Sequence, residues 1–89
     1  MAEINVTRKD EETFEVRVYD STATTHTVTL TNDYYQKLTK GKVPPEKLIE
    51  KSFAFLLERE SNTMILRRFD LPVIGDYFPE YEKIIPGYL

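Results

Sequence analysis

The stretch Val43-Pro-Pro-Glu-Lys-Leu-Ile-Glu-Lys-Ser-Phe-Ala-Phe-Leu-Leu-Glu-Arg-Glu60 constrains this chain more than any other. Two prolines suit a helix start, where the first N–H groups lack intrahelical partners in any case, and Glu46 and Glu50 follow at the positive end of the dipole. At 100° per residue the apolar side chains fall in the order Phe55, Leu48, Leu56, Ile49, Phe53, Leu57, an arc of roughly 200° and about twice the usual minimum. Lys47, Lys51, Ala54 and Glu58 take the rest of the circumference. One layer of packing cannot cover so wide an arc. The helix is therefore expected between a sheet and a second element, supplied by this chain or by a partner.

Upstream, the sequence changes period. Thr13-Phe-Glu-Val-Arg-Val-Tyr19 alternates, with Phe14, Val16 and Val18 on one side, and His26-Thr-Val-Thr-Leu-Thr31 alternates again, with Val28 and Leu30 opposed to threonines. The two runs read as a β-hairpin. Pairing Val16 with Val28 and Phe14 with Leu30 joins the apolar sets across a five-residue connection, residues 20–24, whereas a one-residue slip would set valines against threonines. If residues 4–7 also pair, the sheet has three antiparallel strands.

Thr31 or Asn32 can cap a short helix over residues 33–40, with Gly41 as its left-handed stop. The conformation of residues 64–69 stays open. Beyond it, Leu71, Ile74 and Phe78 follow helical spacing, Pro79 interrupts, and residues 80–85 form another turn before Pro86-Gly87. This tail is the expected cover for the second side of the main helix, with Phe69, Leu71, Ile74, Phe78 and Tyr81 as packing residues rather than a ligand site. The expected architecture is a single α+β domain over residues 1–89: a two- or three-stranded antiparallel sheet packed on a main helix, with a short preceding helix and a C-terminal helical tail.

Composition excludes more chemistry than it suggests. The chain has 89 residues and no cysteine, which removes thiolate catalysis, disulfides and thiolate metal sites. His26 is the one histidine; it lacks a paired ligand or an evident nucleophile and reads as a solvent-facing strand or turn residue. The three glycines form no phosphate-binding string. No enzyme, cofactor or metal is expected. Without a signal-peptide core or an apolar run of about 18 residues, the expected setting is the cytoplasm, with no membrane contact. A net charge of −3 sets up no global attraction to nucleic acid. Between residues 31 and 51, however, five lysines (37, 40, 42, 47 and 51) outnumber Asp33, Glu46 and Glu50, a local surplus of two.

Two resemblances attach to particular residues. Ser52-Phe-Ala-Phe-Leu-Leu-Glu-Arg-Glu60, Ile65-Leu-Arg-Arg-Phe-Asp-Leu-Pro-Val-Ile74 and Tyr77-Phe-Pro-Glu-Tyr81 together resemble a family of small uncharacterised prokaryotic proteins, which implies a cytoplasmic microbial origin. Thr27-Val-Thr-Leu-Thr31, followed by Asn32-Asp-Tyr-Tyr-Gln-Lys-Leu38 and by the stretch from Pro45 to Glu60, resembles ribbon-helix-helix repressors. That resemblance implies a dimeric DNA-binding regulator with Thr27, Thr29 and Thr31 facing the major groove and the helix start near Pro45-Glu46 approaching phosphate. Lys37, Lys40, Lys42 and Lys47 would then supply charge.

A modest core and an over-wide apolar arc favour a non-catalytic interaction or adaptor module, binding a protein partner or a second copy of itself. The expected contact residues are Phe55 at the margin of the arc, Tyr34 or Tyr35, and the tail tyrosines Tyr77 and Tyr88, since tyrosine is favoured at interfaces.

Overall fold

A computed structural model describes residues 2–89. Along the chain run β1 (Glu3–Arg8), β2 (Thr13–Tyr19), β3 (Ala23–Thr29), α1 (Asn32–Thr39), α2 (Pro45–Leu57), a 3₁₀ turn (Asn62–Met64), β4 (Arg68–Asp70), α3 (Val73–Tyr77), α4 (Tyr81–Ile84) and a closing 3₁₀ turn (Ile85–Tyr88). The fold is α+β, as expected, but the sheet has four strands in the order β1-β2-β3-β4 and is mixed, because β4 runs parallel to β3. Residues 4–7 join it through β1. The fourth strand is too short for alternation to be visible, and its partner lies some forty residues back in the chain.

The hairpin keeps its expected face and slides by two residues. Phe14 lies opposite Val28, Val16 opposite His26 and Val18 opposite Thr24. The connection shortens to residues 20–22, still odd in length, so every side chain keeps its side of the sheet. His26 and Thr24 share the inner face with Val28 and lie in the interior, opposite Val16 and Val18, correcting the solvent-facing reading: His26 has 0% of its surface exposed.

α2 lies on the inner face of the sheet. Phe53 points to it and meets the rings of His26 at 5.3 Å and Phe69 at 6.0 Å. Phe55, on the other flank of the helix, meets Phe78, Tyr81 and Tyr88 at 6.0, 5.3 and 6.3 Å, all edge-on. The tail is thus the second layer that the arc demanded. Between the layers, Ser52 Oγ donates to the Leu48 carbonyl at 2.7 Å and stands 2.6 Å from the Tyr81 hydroxyl. With its proton committed to Leu48, Ser52 accepts from Tyr81. Tyr81→Phe removes that bond and strands nothing, so it is expected to cost about 1 kcal/mol. In a thermal melt this corresponds to a fall of roughly 4–8 °C for a chain of this size.

Thr31 caps α1, its Oγ1 accepting from Tyr34 N at 3.2 Å. The helix closes through two left-handed residues, Lys40 at φ 55° and Gly41 at φ 74°. At Gly41 a Cβ would also come within 3.2 Å of the Gln36 side chain.

Candidate functional site

A buried polar relay anchors the segment that forms one wall of the site. His26 Nδ1 lies 2.7 Å from the Leu66 carbonyl, which can only accept, so Nδ1 carries the proton and Nε2 accepts from the Thr24 hydroxyl at 2.8 Å. Asn62 Nδ2 donates to that hydroxyl at 3.0 Å and to the Thr22 carbonyl at 2.7 Å. Every donor finds an acceptor, and among the described residues no buried side-chain nitrogen or oxygen is left without a partner. Burial pushes the His26 imidazole below its ordinary value; the Leu66 carbonyl opposes that shift, and Arg67 adds to it. The relay therefore fastens a neutral histidine to the segment between α2 and β4.

So held, that segment turns Ile65 inward and leaves Met64 and Leu66 facing out. α3 completes the opposite wall, with Ile74 in the core and Tyr77 at the surface. Between them lies a groove of about 160 Å³, floored by Leu56, Ile65, Phe69 and Ile74 and flanked by Met64, Leu66, Val73, Tyr77, Phe78 and Glu60. Met64, Leu66 and Tyr77 expose 70%, 45% and 65% of their surfaces, and they are three of the five large hydrophobic residues exposed among the described residues. Glu60 is the one titratable acid in the lining, and burial raises its carboxyl above the ordinary carboxylate value. Among the described residues no ion pair or side-chain hydrogen bond engages it.

Of the residues expected at an interface, the structure places only Tyr77 in this groove. Phe55 is fully buried, because the tail closes over the margin of the arc. Tyr88 packs on Phe55 and donates to Glu58. Tyr34 donates to Glu82 at 2.7 Å, and Tyr35 to the Val43 carbonyl. Burial, together with the Glu82 carboxylate, raises the Tyr34 phenol above its ordinary value. Both hydroxyls hold α1 in place. Met64 and Leu66 escaped the sequence reading, although three consecutive apolar residues, Met64 to Leu66, cannot all point inward in a short connecting segment.

The residues expected from the ribbon-helix-helix resemblance do not meet. β3 is paired on both sides, by β2 and by β4, and offers no edge to the strand of a second copy. Thr27 and Thr29 lie on the outer face of the sheet, with Thr29 donating to Asp70, while Thr31 caps α1. Lys37 pairs with Glu82 at 3.1 Å; Lys40, Lys42 and Lys47 stand exposed around α1 and the start of α2, on the helical side.

Among the described residues no group of three His, Cys, Asp or Glu residues could hold a metal ion, and no helix is long and apolar enough to cross a membrane. Comparison with protein-family models, curated proteins and solved structures returns no match to this chain.

Proposed function

We propose that this chain is a non-catalytic interaction module that takes an apolar side chain of a protein partner into the groove between α2 and α3. The observation that supports it is the concentration there of Met64, Leu66 and Tyr77, three of the five large exposed hydrophobic residues among those described. Exposed apolar surface gathered in one place favours association, whereas the same residues scattered singly would call for no explanation. The residue types fit as well: methionine adapts to irregular shapes and tyrosine supplies area at low entropic cost.

Volume narrows the occupant. At about 160 Å³ the groove falls short of the roughly 300–1,000 Å³ of small-molecule sites. It is close to the ~150 Å³ cavity that accepts a benzene ring. One leucine- or phenylalanine-sized side chain fills it.

Selection of random peptides displayed against the immobilised protein tests this reading. The parent chain is expected to enrich peptides sharing one apolar residue, and a Met64→Asp, Leu66→Asp double variant is expected to bind them at least tenfold more weakly. Both side chains are exposed, so the variant should keep the parent's circular dichroism. Failure to enrich, or equal binding by parent and variant, overturns the proposal.

A further inference from the structure

The backbone beside the groove says how a partner would be held. Arg67 C=O accepts from Thr27 N at 2.7 Å and Leu71 N donates to Thr29 O at 2.9 Å. In a parallel ladder both backbone groups of a residue point to one side and successive residues alternate. Phe69 therefore shares the β3 side with those groups, and Arg68 and Asp70 turn their N–H and C=O outward. β4 is the edge of the sheet, paired only with β3, and among the described residues no turn or loop backbone bond reaches those four groups. Phe69 itself forms part of the groove. The unpaired edge and the apolar groove are thus two sides of one strand.

From this juxtaposition we infer that the partner is an extended peptide segment that pairs with the edge of β4 and seats an apolar side chain in the groove, with an acidic residue next to it in sequence. The inference rests on the proposed role of the groove and adds the partner's conformation and charge. An added strand lies about 4.8 Å from β4 and sends alternate side chains to opposite faces. The side chain on the inner face enters beside Phe69; its neighbour emerges on the outer face across from Arg68. Arg67 and Arg68 have no ion-pair partner among the described residues. Asp70 already accepts from Thr29. Glu60 lies among the groove residues, past the end of α2, so the outer-face position opposite Arg68 is where an acid is favoured.

A three-residue edge strand bearing charges is also how sheets discourage aggregation. That protection does not account for Met64, Leu66 and Tyr77 being exposed next to it. The other edge differs: beside β1, Ile4 and Val6 are half-buried, and the start of α2 flanks them through Pro44, Glu46 and Lys47.

The test is a ¹⁵N NMR titration of the full chain with three capped pentapeptides. The first alternates aspartate and leucine, the second alternates lysine and leucine, and the third is the first with its backbone N-methylated at the residues meant to bond β4. The acidic peptide is expected to shift the amide signals of Arg68 and Asp70 together with those of Met64, Leu66 and Tyr77. N-methylation should weaken it at least tenfold, since it removes ladder donors. Arg68→Gln should weaken it by about fivefold, the scale of a cross-strand charge pair. Equal binding of the methylated peptide, with shifts confined to the groove, overturns strand pairing and leaves the groove reading intact. Tighter binding of the lysine peptide overturns the charge assignment. Shifts of Arg68 and Asp70 on raising protein concentration alone would identify a second copy as occupant and overturn the peptide inference. Silence of all three peptides at millimolar concentration overturns both readings.

Discussion

Phe55→Ala is expected to lower stability by about 3–5 kcal/mol, the range for truncating a phenylalanine whose surroundings cannot collapse onto the space. The residue is fully buried. Three rings close on its edges, and the Arg59 guanidinium lies 3.7 Å from its ring centre. Aromatic pairs of this geometry add roughly 0.5–1.5 kcal/mol beyond buried area. Arg59 is fixed from three directions, donating to the Phe55 carbonyl at 3.1 Å and pairing with Glu58 at 3.5 Å and Glu80 at 3.4 Å. Truncation would loosen the tail as well as empty a cavity. At roughly 0.05–0.15 kcal/mol per residue, a chain this small loses much of its margin. A thermal melt should fall by upwards of about 12 °C, whereas Tyr77→Ala at the exposed rim should stay within about 0.5 kcal/mol of the parent. A Phe55→Ala melt within a few degrees of the parent would show that the tail does not pack on α2 as described.

His26→Ala is expected to cost about 2–4 kcal/mol, combining an orphaned Leu66 carbonyl with lost packing against Phe53. The same residue gives the chain a pH dependence whose sign follows from its environment. Its native value is depressed below the ordinary 6.5, so it stays neutral in the fold while the unfolded chain takes up a proton. Its contribution is complete above that ordinary value and declines as the pH falls from there towards the native one, by at most about 1.4 kcal/mol per pH unit. Glu60 works the other way, because its native carboxyl is raised and the penalty of its charge is relieved as the pH falls. The difference between parent and variant isolates the histidine. Urea denaturation from pH 7.5 to 5 should show the parent losing stability below about pH 6.5 relative to His26→Ala. An imidazole titration by NMR with its midpoint at or above 6.5 would refute the buried relay.

Much of the fold was legible where one local pattern admits one structure. The apolar arc of α2 is wide enough to require two layers, and the sheet and the tail supply them. Thr31 caps α1 through a hydroxyl three residues before its donor, a spacing written in the sequence. The alternation in β2 and β3 assigned their inner faces correctly, because parity survives any even slide. It could not choose between slides of zero and two, since both keep valines on the inner face. The site was less legible: Tyr77 was named, but Met64 and Leu66 were not, because nothing local distinguishes a short apolar connection that packs from one that borders a groove.

The sequence by itself determined the helical and strand character of the longer segments, which faces of the hairpin turn inward, and that α2 needs cover on both flanks. These are consequences of periodicity, capping and proline placement, all set within a few residues. The tertiary structure alone decided the hairpin register, the parallel strand β4, the burial of His26 and Phe55, and the groove. All depend on contacts beyond the reach of a local pattern, and the burials of His26 and Phe55 depend on partners about twenty to forty residues apart: Asn62 and Leu66 stabilise His26 inside, and Phe78, Tyr81 and Tyr88 convert the margin of an apolar arc into its centre. A buried polar group is tolerable only where its hydrogen bonds are met, and where they are met is fixed by how the chain closes on itself.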